Sequence, residues 1–189
     1  MTQEIVDIII IGGGPVGLFT AFYAGLRQAS VKIIESLPEL GGQPWMLYPE
    51  KKIYDIPAFP EIQAGALIEN LLAQLERFPS TQYCLEEEAL ELNKTEFGYE
   101  VITSKQTHLA KTVIIACGNG AFRSRKLEID EASHYEGKNL HYFVNNLERF
   151  RDHTVAICGG GDSAVDWALA LEPIAKKVSI IHRRPQFRA

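Results

Sequence analysis

The distribution of apolar positions predicts a strand, a turn, a helix and a second strand at the start of the chain. An apolar run at Ile5–Ile11 leads into a glycine-rich turn at Gly12–Gly17. The stretch Leu18–Gln28 has the apolar spacing of a helix, and a second apolar run at Val31–Ile34 ends on Glu35. This succession is typical of the βαβ unit of a parallel sheet.

The same succession returns near the end of the sequence. A strand is predicted at Thr154–Cys158, a glycine-rich turn at Gly159–Ala164, a helix from Val165 to Leu171 and a second strand at Val178–Ile181. The pattern therefore predicts an α/β protein built from two Rossmann-like dinucleotide-binding units.

The residues between the two units predict further elements of a first domain. They comprise one helix and four short strands: Ala64–Phe78, Gln82–Leu85, Ala89–Leu92, Tyr99–Thr103 and Thr112–Ala116. The run Glu86–Glu88 is interpreted as a solvated charge run, and His141–Val144 as a short strand. We place the boundary between a first domain, residues 1–117, and a second, residues 118–189, just after the last of the four strands.

The long stretch from Ser36 to Ile62 has no regular period. It contains a Gly-Gly turn, several aromatic residues and five prolines. Loops of this length in compact domains are usually functional or disordered, and disordered segments are seldom so rich in aromatic residues. Two interpretations stay open: the rings line a flat cofactor, or they form a lid over the core.

Composition narrows the class of protein. The chain has 189 residues, a hydrophobic content of 46% and a net charge of −5, which gives no general preference for nucleic acid. No apolar run has the length of a membrane span, and the first residues lack the pattern of a signal peptide. Three isolated cysteines and the absence of a Cys-x-x-Cys pair suit a reducing compartment, so we expect a soluble, cytoplasmic protein.

The first glycine-rich turn has the residues that a dinucleotide pyrophosphate requires. Gly12 suits the tight turn, Gly14 allows close approach of the phosphates, and Gly17 allows close helix–strand packing. Pro15 lies within the same turn, and the helix that follows presents free N–H groups to the phosphates. Glu35, at the end of the second strand, is placed to accept hydrogen bonds from the adenosine ribose. The alternative is a buried βαβ unit without a ligand.

The second turn differs from the first at the position that distinguishes the cofactors. Gly12 and Glu35 are 23 residues apart, and so are Gly159 and His182. A histidine thus replaces the ribose-binding acid, and arginines follow it, which favours a 2′-phosphate and NADP(H). The predicted NADPH-binding residues are Gly159, Gly161, Asp162, Ser163, Ala164, His182, Arg183, Arg184 and Arg188. The alternative interpretation of the last four is a solvated basic tail.

Two dinucleotide sites imply that electrons pass from a nicotinamide to a flavin and then onward. Catalysis would then depend on how the cofactors are placed. We propose no Ser-His-Asp triad, metal cluster or carboxylate pair from the sequence.

Longer segments carry a more specific signal. The segments GGGPVGLFTAFY, IIESLPELGGQ, LYPEKKIYDIPAFP, GNGAF, YEGKNLHYFV, CGGGDSAVDWALALEPIAKKVSIIHRR and FRA closely resemble the thioredoxin-reductase-like (type 2) ferredoxin–NADP(+) reductases. The resemblance implies a homodimeric flavoenzyme of the glutathione-reductase-type three-layer fold, with FAD and NADPH as cofactors and ferredoxin or flavodoxin as acceptor.

The resemblance also implies particular roles in the first domain. Gln43 would lie near the flavin and Tyr48 would stack on the isoalloxazine. The backbone of Ala89 would contact the adenine, and Phe122 would lie against the flavin. With Gly12, Gly14, Pro15, Gly17 and Glu35 these complete the predicted FAD site.

Two departures qualify the resemblance. Thioredoxin reductases carry a Cys-x-x-Cys just before the second glycine-rich turn, where this sequence has His141–Asn146, so a disulfide reductase is the less favoured alternative. The family's chain also continues beyond the position of Ala189. We therefore expect a first domain without its returning segment and a truncated second unit. A catalytically inactive cofactor-binding module is a further alternative.

Overall fold

The structure is a computed structural model that describes residues 4–121, 126–142, 144 and 146–188. Its contacts divide the chain into two compact units, Met1–Phe143 and Val144–Ala189. Residues 118–143 cluster with the first unit. The domain boundary that the sequence places after residue 117 stays a prediction.

The first unit is organised around a six-stranded sheet. Its strands are β1 (Ile5–Ile11), β2 (Val31–Ile34), β5 (Gln82–Cys84), β6 (Ala89–Thr95), β7 (Gly98–Thr103) and β8 (Thr107–Ile115). Their order is β5-β2-β1-β8-β7-β6. The first four strands are parallel, β7 is antiparallel to β8, and β6 is antiparallel to β7. The sheet and the helices beside it confirm the predicted α/β class.

The register of the parallel strands determines where a ligand site can form. Ile11, the last residue of β1, pairs with Ile34 at the end of β2 and with Ile115 at the end of β8. The residues that follow all three strands therefore meet at one edge of the sheet. Ligands of open α/β sheets bind at the carboxyl edge of parallel strands.

The helices of the first unit are α1 (Pro15–Leu26), α2 (Gly42–Leu47) and α3 (Ala64–Leu75). α1 begins three residues earlier than predicted, because Pro15 is well suited to the first turn of a helix, where its missing N–H is not needed. The stretch predicted as irregular contains α2 and a small antiparallel pair, β3 (Lys52–Ile53) with β4 (Ile62–Gln63).

Two apolar clusters bury the two faces of the parallel strands. The cluster on the helical face contains Ile10, Leu18 and Ile68, and the cluster on the opposite face contains Ile9 and Val101. Consecutive residues of β1 thus point into different cores. This explains why β1 is an almost continuous apolar run.

The second unit repeats the strand–helix–strand arrangement. Its parallel strands are β9 (Thr154–Cys158) and β10 (Lys177–Ile181), joined through α4 (Asp162–Leu171). Both strands and the helix were predicted, and α4 begins at the end of the glycine turn, three residues earlier than expected.

One predicted strand is wrong for the residues that can be judged. His141, Tyr142 and Val144 are not in a strand, and Phe143 lies outside the described residues. Tyr142 instead accepts a hydrogen bond from the backbone N–H of Leu127 on its hydroxyl, at 2.9 Å. Local contacts of this kind replace the pairing that the apolar residues suggested.

Candidate functional site

A cleft of about 550 Å³ opens at the carboxyl edge of β1, β2 and β8. Six of the residues predicted to bind FAD line it: Gly12, Gly14, Pro15, Glu35, Gln43 and Ala89. Tyr48 is not among the lining residues, Gly17 lies behind them, and Phe122 lies outside the described residues. The cleft therefore joins predicted residues that are up to 77 positions apart in sequence, from Gly12 to Ala89.

Two glycines make the turn at the end of β1 possible. Gly12 has φ +107°, and a Cβ on it would lie 2.9 Å from the Cα of Cys117. A Cβ on Gly17 would collide with the carbonyl oxygen of Gly12. Both positions therefore exclude a side chain, and α1 packs directly on the turn, as the sequence predicted.

Gly14 differs because its missing side chain faces open space. A Cβ there would meet only the Cα of Gly42, at 3.8 Å. The Gly13 carbonyl accepts a hydrogen bond from the N–H of Gly41 at 2.8 Å, so the turn at Gly41–Gly42 stabilises the first glycine-rich turn. α1 begins directly after Gly14 and, in the part of the chain that the structure describes, has no side-chain cap. Its first N–H groups and dipole can therefore serve a phosphate.

Glu35 joins the end of β2 to the glycine turn. Its side chain is 7% exposed, and Oε2 accepts the N–H of Gly13 at 2.7 Å. Oε1 accepts the N–H of Leu37 at 2.9 Å and the hydroxyl of Ser36 at 3.1 Å. A carboxylate offers about four acceptor positions, so these three bonds leave one on Oε2 for a ligand hydroxyl.

The aromatic stretch is only partly at the cleft. Gln43 and Pro44, in the first turn of α2, line it. Tyr48 ends the same helix, and the Lys51 ammonium lies 5.6 Å from the centre of its ring. The start of this short helix thus lines the cleft, as a cofactor wall would, whereas Tyr48 at its end does not.

Sequence reasoning missed a buried carboxylate at the cleft, that of Glu87. Glu87, predicted to be solvated with its neighbours, is 3% exposed, so that prediction is wrong for this residue. The Nε2 of His108 lies 2.7 Å from its Oε1, and the hydroxyl of Thr103 donates to the same oxygen at 2.5 Å. Burial opposes ionisation, but these hydrogen bonds together hold the pKa of Glu87 below its usual value.

The second glycine turn repeats the geometry of the first. The N–H of Gly159 donates to the carbonyl of Ile181 at 3.0 Å, as the N–H of Gly12 donates to that of Ile34 at 2.8 Å. A Cβ on Gly160 would overlap the imidazole of His182. His182 therefore lies against its turn in the way that Glu35 lies against the first.

The other predicted residues of the second turn surround this contact. Gly161 caps α4, Asp162 and Ser163 open the helix on its exposed side, and Ala164 is buried. A Cβ on Gly159 would lie 3.0 Å from the Cβ of Ala164, so this small residue has the packing role of the third glycine in the first turn.

Arginine side chains lie beside the second turn. The backbone N–H of Arg188 donates to the carbonyl of Gly160 at 2.8 Å, and its guanidinium lies 3.6 Å from the position of a Cβ on Gly161. Arg183 and Arg184 are exposed. Among residues 144 and 146–188, no carboxylate pairs with any of the three, so their guanidinium groups remain available to an anion.

The three cysteines lie in different places. Cys84 ends β5, Cys117 follows β8 and Cys158 ends β9, and all three are free thiols. Burial, assisted by the charge of Glu87, raises the pKa of the Cys84 thiol, which makes it a poor nucleophile.

Comparison with known families identifies this arrangement. The model of the pyridine nucleotide-disulphide oxidoreductase family matches residues 6–189. The chain belongs to this family. In the part that the structure describes, the chain has no helix both long and apolar enough to span a bilayer.

Relatives with assigned names are more specific. This family member is 63% identical over 187 residues to ferredoxin–NADP reductase 2 of Bacillus subtilis, covering 98% of this chain and 56% of that protein. It is 60% identical over 187 residues to the protein of the same name from Listeria innocua, with the same two coverages. The chain thus spans a little over half the length of these curated relatives.

Solved structures support the fold. Thioredoxin reductase of Lactococcus lactis superposes with a TM-score of 0.75 at 28% identity, over 97% of this chain and 58% of that one. Thioredoxin reductase of T. acidophilum gives 0.76 at 25% identity, over 98% and 58%. The predicted resemblance to thioredoxin-reductase-like proteins is confirmed.

Proposed function

We propose that the protein carrying this chain is an FAD-dependent oxidoreductase that takes electrons from NADPH and passes them to ferredoxin or flavodoxin. The observation that carries the proposal is the contrast between two turns of the same geometry. One turn is backed by the carboxylate of Glu35 and the other by His182, with the guanidinium of Arg188 beside it and two more arginines directly after His182 in the sequence. A carboxylate repels a 2′-phosphate, whereas guanidinium groups bind one.

The residues of the first unit fit FAD. The open side of Gly14 and the start of α1 would hold the pyrophosphate, and Glu35 would hold the ribose. Ala89 would meet the adenine, and Gln43 would lie toward the flavin. Tyr48 and Phe122 as flavin contacts rest on the resemblance alone. When bound, FAD supplies the conversion of a two-electron hydride into single electrons.

The residues of the second unit fit NADPH. Gly159, Gly161, Asp162, Ser163 and Ala164 would hold the pyrophosphate at the start of α4. The cations that follow β10 would hold the 2′-phosphate: His182, Arg183, Arg184 and Arg188. The exposure of the three arginines, and the lack of carboxylate partners of all four residues within the described part of the chain, support this role.

A carrier protein is favoured over a disulfide as the final acceptor. The names of the relatives at 60% identity and above support this choice. The likeness to thioredoxin reductases favours the disulfide alternative, but His141–Asn146 contains no Cys-x-x-Cys, and the three cysteines lie far apart in the sequence.

We also propose a cytoplasmic homodimer. An apolar stripe on α1 supports association, because Val16, Phe19, Tyr23 and Leu26 are each more than half exposed. Isolated thiols support a reducing compartment. Sedimentation of the holoprotein tests the dimer: a monomer at micromolar concentration would contradict it.

The test of the function is a comparison of acceptors. The purified protein is mixed with NADPH and one acceptor at a time. Reduction of ferredoxin, of flavodoxin and of the thioredoxin disulfide is then measured in separate assays. We expect rapid reduction of at least one carrier and none of thioredoxin. Thioredoxin reduction without carrier reduction would favour the disulfide alternative, and a flavin-free, inactive protein would favour a cofactor-binding module.

A further inference from the structure

A buried chain of three polar side chains runs from the surface of the first unit to its cleft. Lys32 on β2 is half-buried, His108 on β8 is 4% exposed and Glu87, between β5 and β6, is 3% exposed. The Lys32 Nζ lies 3.3 Å from the His108 Nδ1, and the His108 Nε2 lies 2.7 Å from the Glu87 Oε1. Neither the hydride path nor the phosphate contacts use these groups.

The order of the three groups determines the direction of their hydrogen bonds. An ammonium can only donate, so the Nδ1 of His108 accepts from Lys32. The ring proton is then on Nε2 and is donated to the Glu87 carboxylate. The imidazole thus connects a cation at the outer end to an anion at the inner end, and the buried charge of Glu87 is compensated.

Glu87 belongs to a segment that connects the cleft to the rest of the sheet. The N–H of Glu87 donates to the carbonyl of Glu35 at 2.9 Å, and the N–H of Glu86 donates to the carbonyl of Leu37 at 2.9 Å. The N–H of Glu88 donates to the hydroxyl of Ser104 at 3.0 Å. The segment is therefore attached both to the ribose-binding end of β2 and to the hairpin of β6 and β7.

The backbone of this segment needs such support. Glu86 has φ +53°, in the left-handed region that residues other than glycine seldom adopt. Glu87, Glu88 and Ala89 line the cleft directly after it. A strained turn keeps one conformation only where its surroundings hold it, and the buried carboxylate of Glu87 anchors the residue next to the strained one.

We propose that Lys32, His108 and Glu87 are positioning residues that hold the segment 86–89 in place for the adenine half of the bound dinucleotide. The inference rests on the proposed function, because it assumes that the cleft holds FAD. It predicts that breaking the chain weakens the binding of adenine-containing ligands to the cleft of the first unit and leaves the binding of ligands without an adenine unchanged there.

The test uses the apoprotein of the whole flavoprotein and three ligands, FAD, ADP and FMN. We expect His108→Leu to weaken FAD and ADP by about tenfold each, since a buried charge-assisted hydrogen bond is lost, and FMN to bind as it does to the parent. His108→Gln, whose amide can donate to Glu87, should restore most of the affinity. Adenosine 2′,5′-bisphosphate, a probe of the second unit, should bind all variants equally.

A matched control lies on the same strand as His108. Lys111 of β8 pairs with Asp7 at 2.7 Å near the other end of β1, and neither residue lines the cleft. Lys111→Met should leave all ligand affinities unchanged. Lys32→Met, which removes only the outer cation, is the decisive variant where His108→Leu fails to fold, and it should weaken ADP but not FMN.

The outcomes separate the two proposals. Unchanged ADP and FAD affinities in a folded His108→Leu or Lys32→Met variant would overturn the positioning role, and so would an equal loss for FMN. A parent protein that binds neither ADP nor FAD would instead overturn the proposed function of the cleft.

Discussion

Replacing Glu35 should separate its two roles, one toward the glycine turn and one toward the ribose. Three of its acceptor positions serve Gly13, Leu37 and Ser36, at 2.7, 2.9 and 3.1 Å, and the fourth faces the cleft. Glu35→Ala removes all four. Glu35→Gln keeps one oxygen for the Gly13 N–H but removes the charge.

The magnitudes follow from these bonds. A hydrogen bond to a charged group contributes about 1.5–3 kcal/mol, so Glu35→Ala should weaken FAD by about 10- to 150-fold. The buried N–H of Gly13 also loses its partner, which should lower the free energy of unfolding by about 1–3 kcal/mol. Glu35→Gln should lose less stability than Glu35→Ala while still losing FAD affinity.

Flavin fluorescence titration of the apoprotein measures the affinity, and urea unfolding measures the stability. Ser36→Ala is the matched control, because it removes one partner of the carboxylate and leaves the ribose-facing oxygen in place. If Glu35→Ala retains FAD as tightly as the parent, the ribose assignment is refuted. If its stability is also unchanged, the role of Glu35 in the turn is refuted as well.

Three further predictions concern the second turn, the glycines and the thiols. Replacing Arg183 and Arg184 with glutamine should raise the KM for NADPH and leave that for NADH nearly unchanged, because only NADPH has the 2′-phosphate; equal changes in steady-state assays would make the arginines structural. Gly14→Ala should weaken FAD without loss of stability, since its Cβ would occupy the cleft, whereas Gly17→Ala should lower the melting temperature, since its Cβ would collide with the turn; the reverse pattern would contradict the geometry. Replacing the three cysteines with serine or alanine in the whole enzyme should preserve carrier reduction by the FAD-loaded protein, and its loss would revive a disulfide mechanism.

The sequence was sufficient to predict the bounds of the central parallel strands. β1 and β2 have the predicted bounds because each consists of residues buried on both faces, which leaves a continuous apolar run. The spacing of 23 residues from Gly12 to Glu35 and from Gly159 to His182 predicted that His182 takes the position of the acid in the second unit. In the structure Glu35 contacts Gly13 and His182 contacts Gly160, while their roles toward the cofactors stay predictions.

Contacts between distant polar residues could not be predicted in this way. Glu87 and His108 are 21 residues apart, and neither lies in an apolar pattern that indicates burial. A run of three glutamates is ordinarily solvated, and only the folded structure shows that its middle member meets a histidine. The close approach of Gly42 to Gly14 was not predicted either, although the Gly41-Gly42 dipeptide indicated a tight turn at this position.

The central claim is that the first turn holds FAD and the second selects NADPH to reduce it. Anaerobic mixing of the purified holoprotein with equal concentrations of NADPH or NADH, followed by visible absorption, tests this directly. The account predicts a two-banded flavin spectrum in the isolated protein, rapid bleaching by NADPH and much slower bleaching by NADH. A correctly folded protein without flavin, or one that NADH bleaches as fast as NADPH, would contradict it.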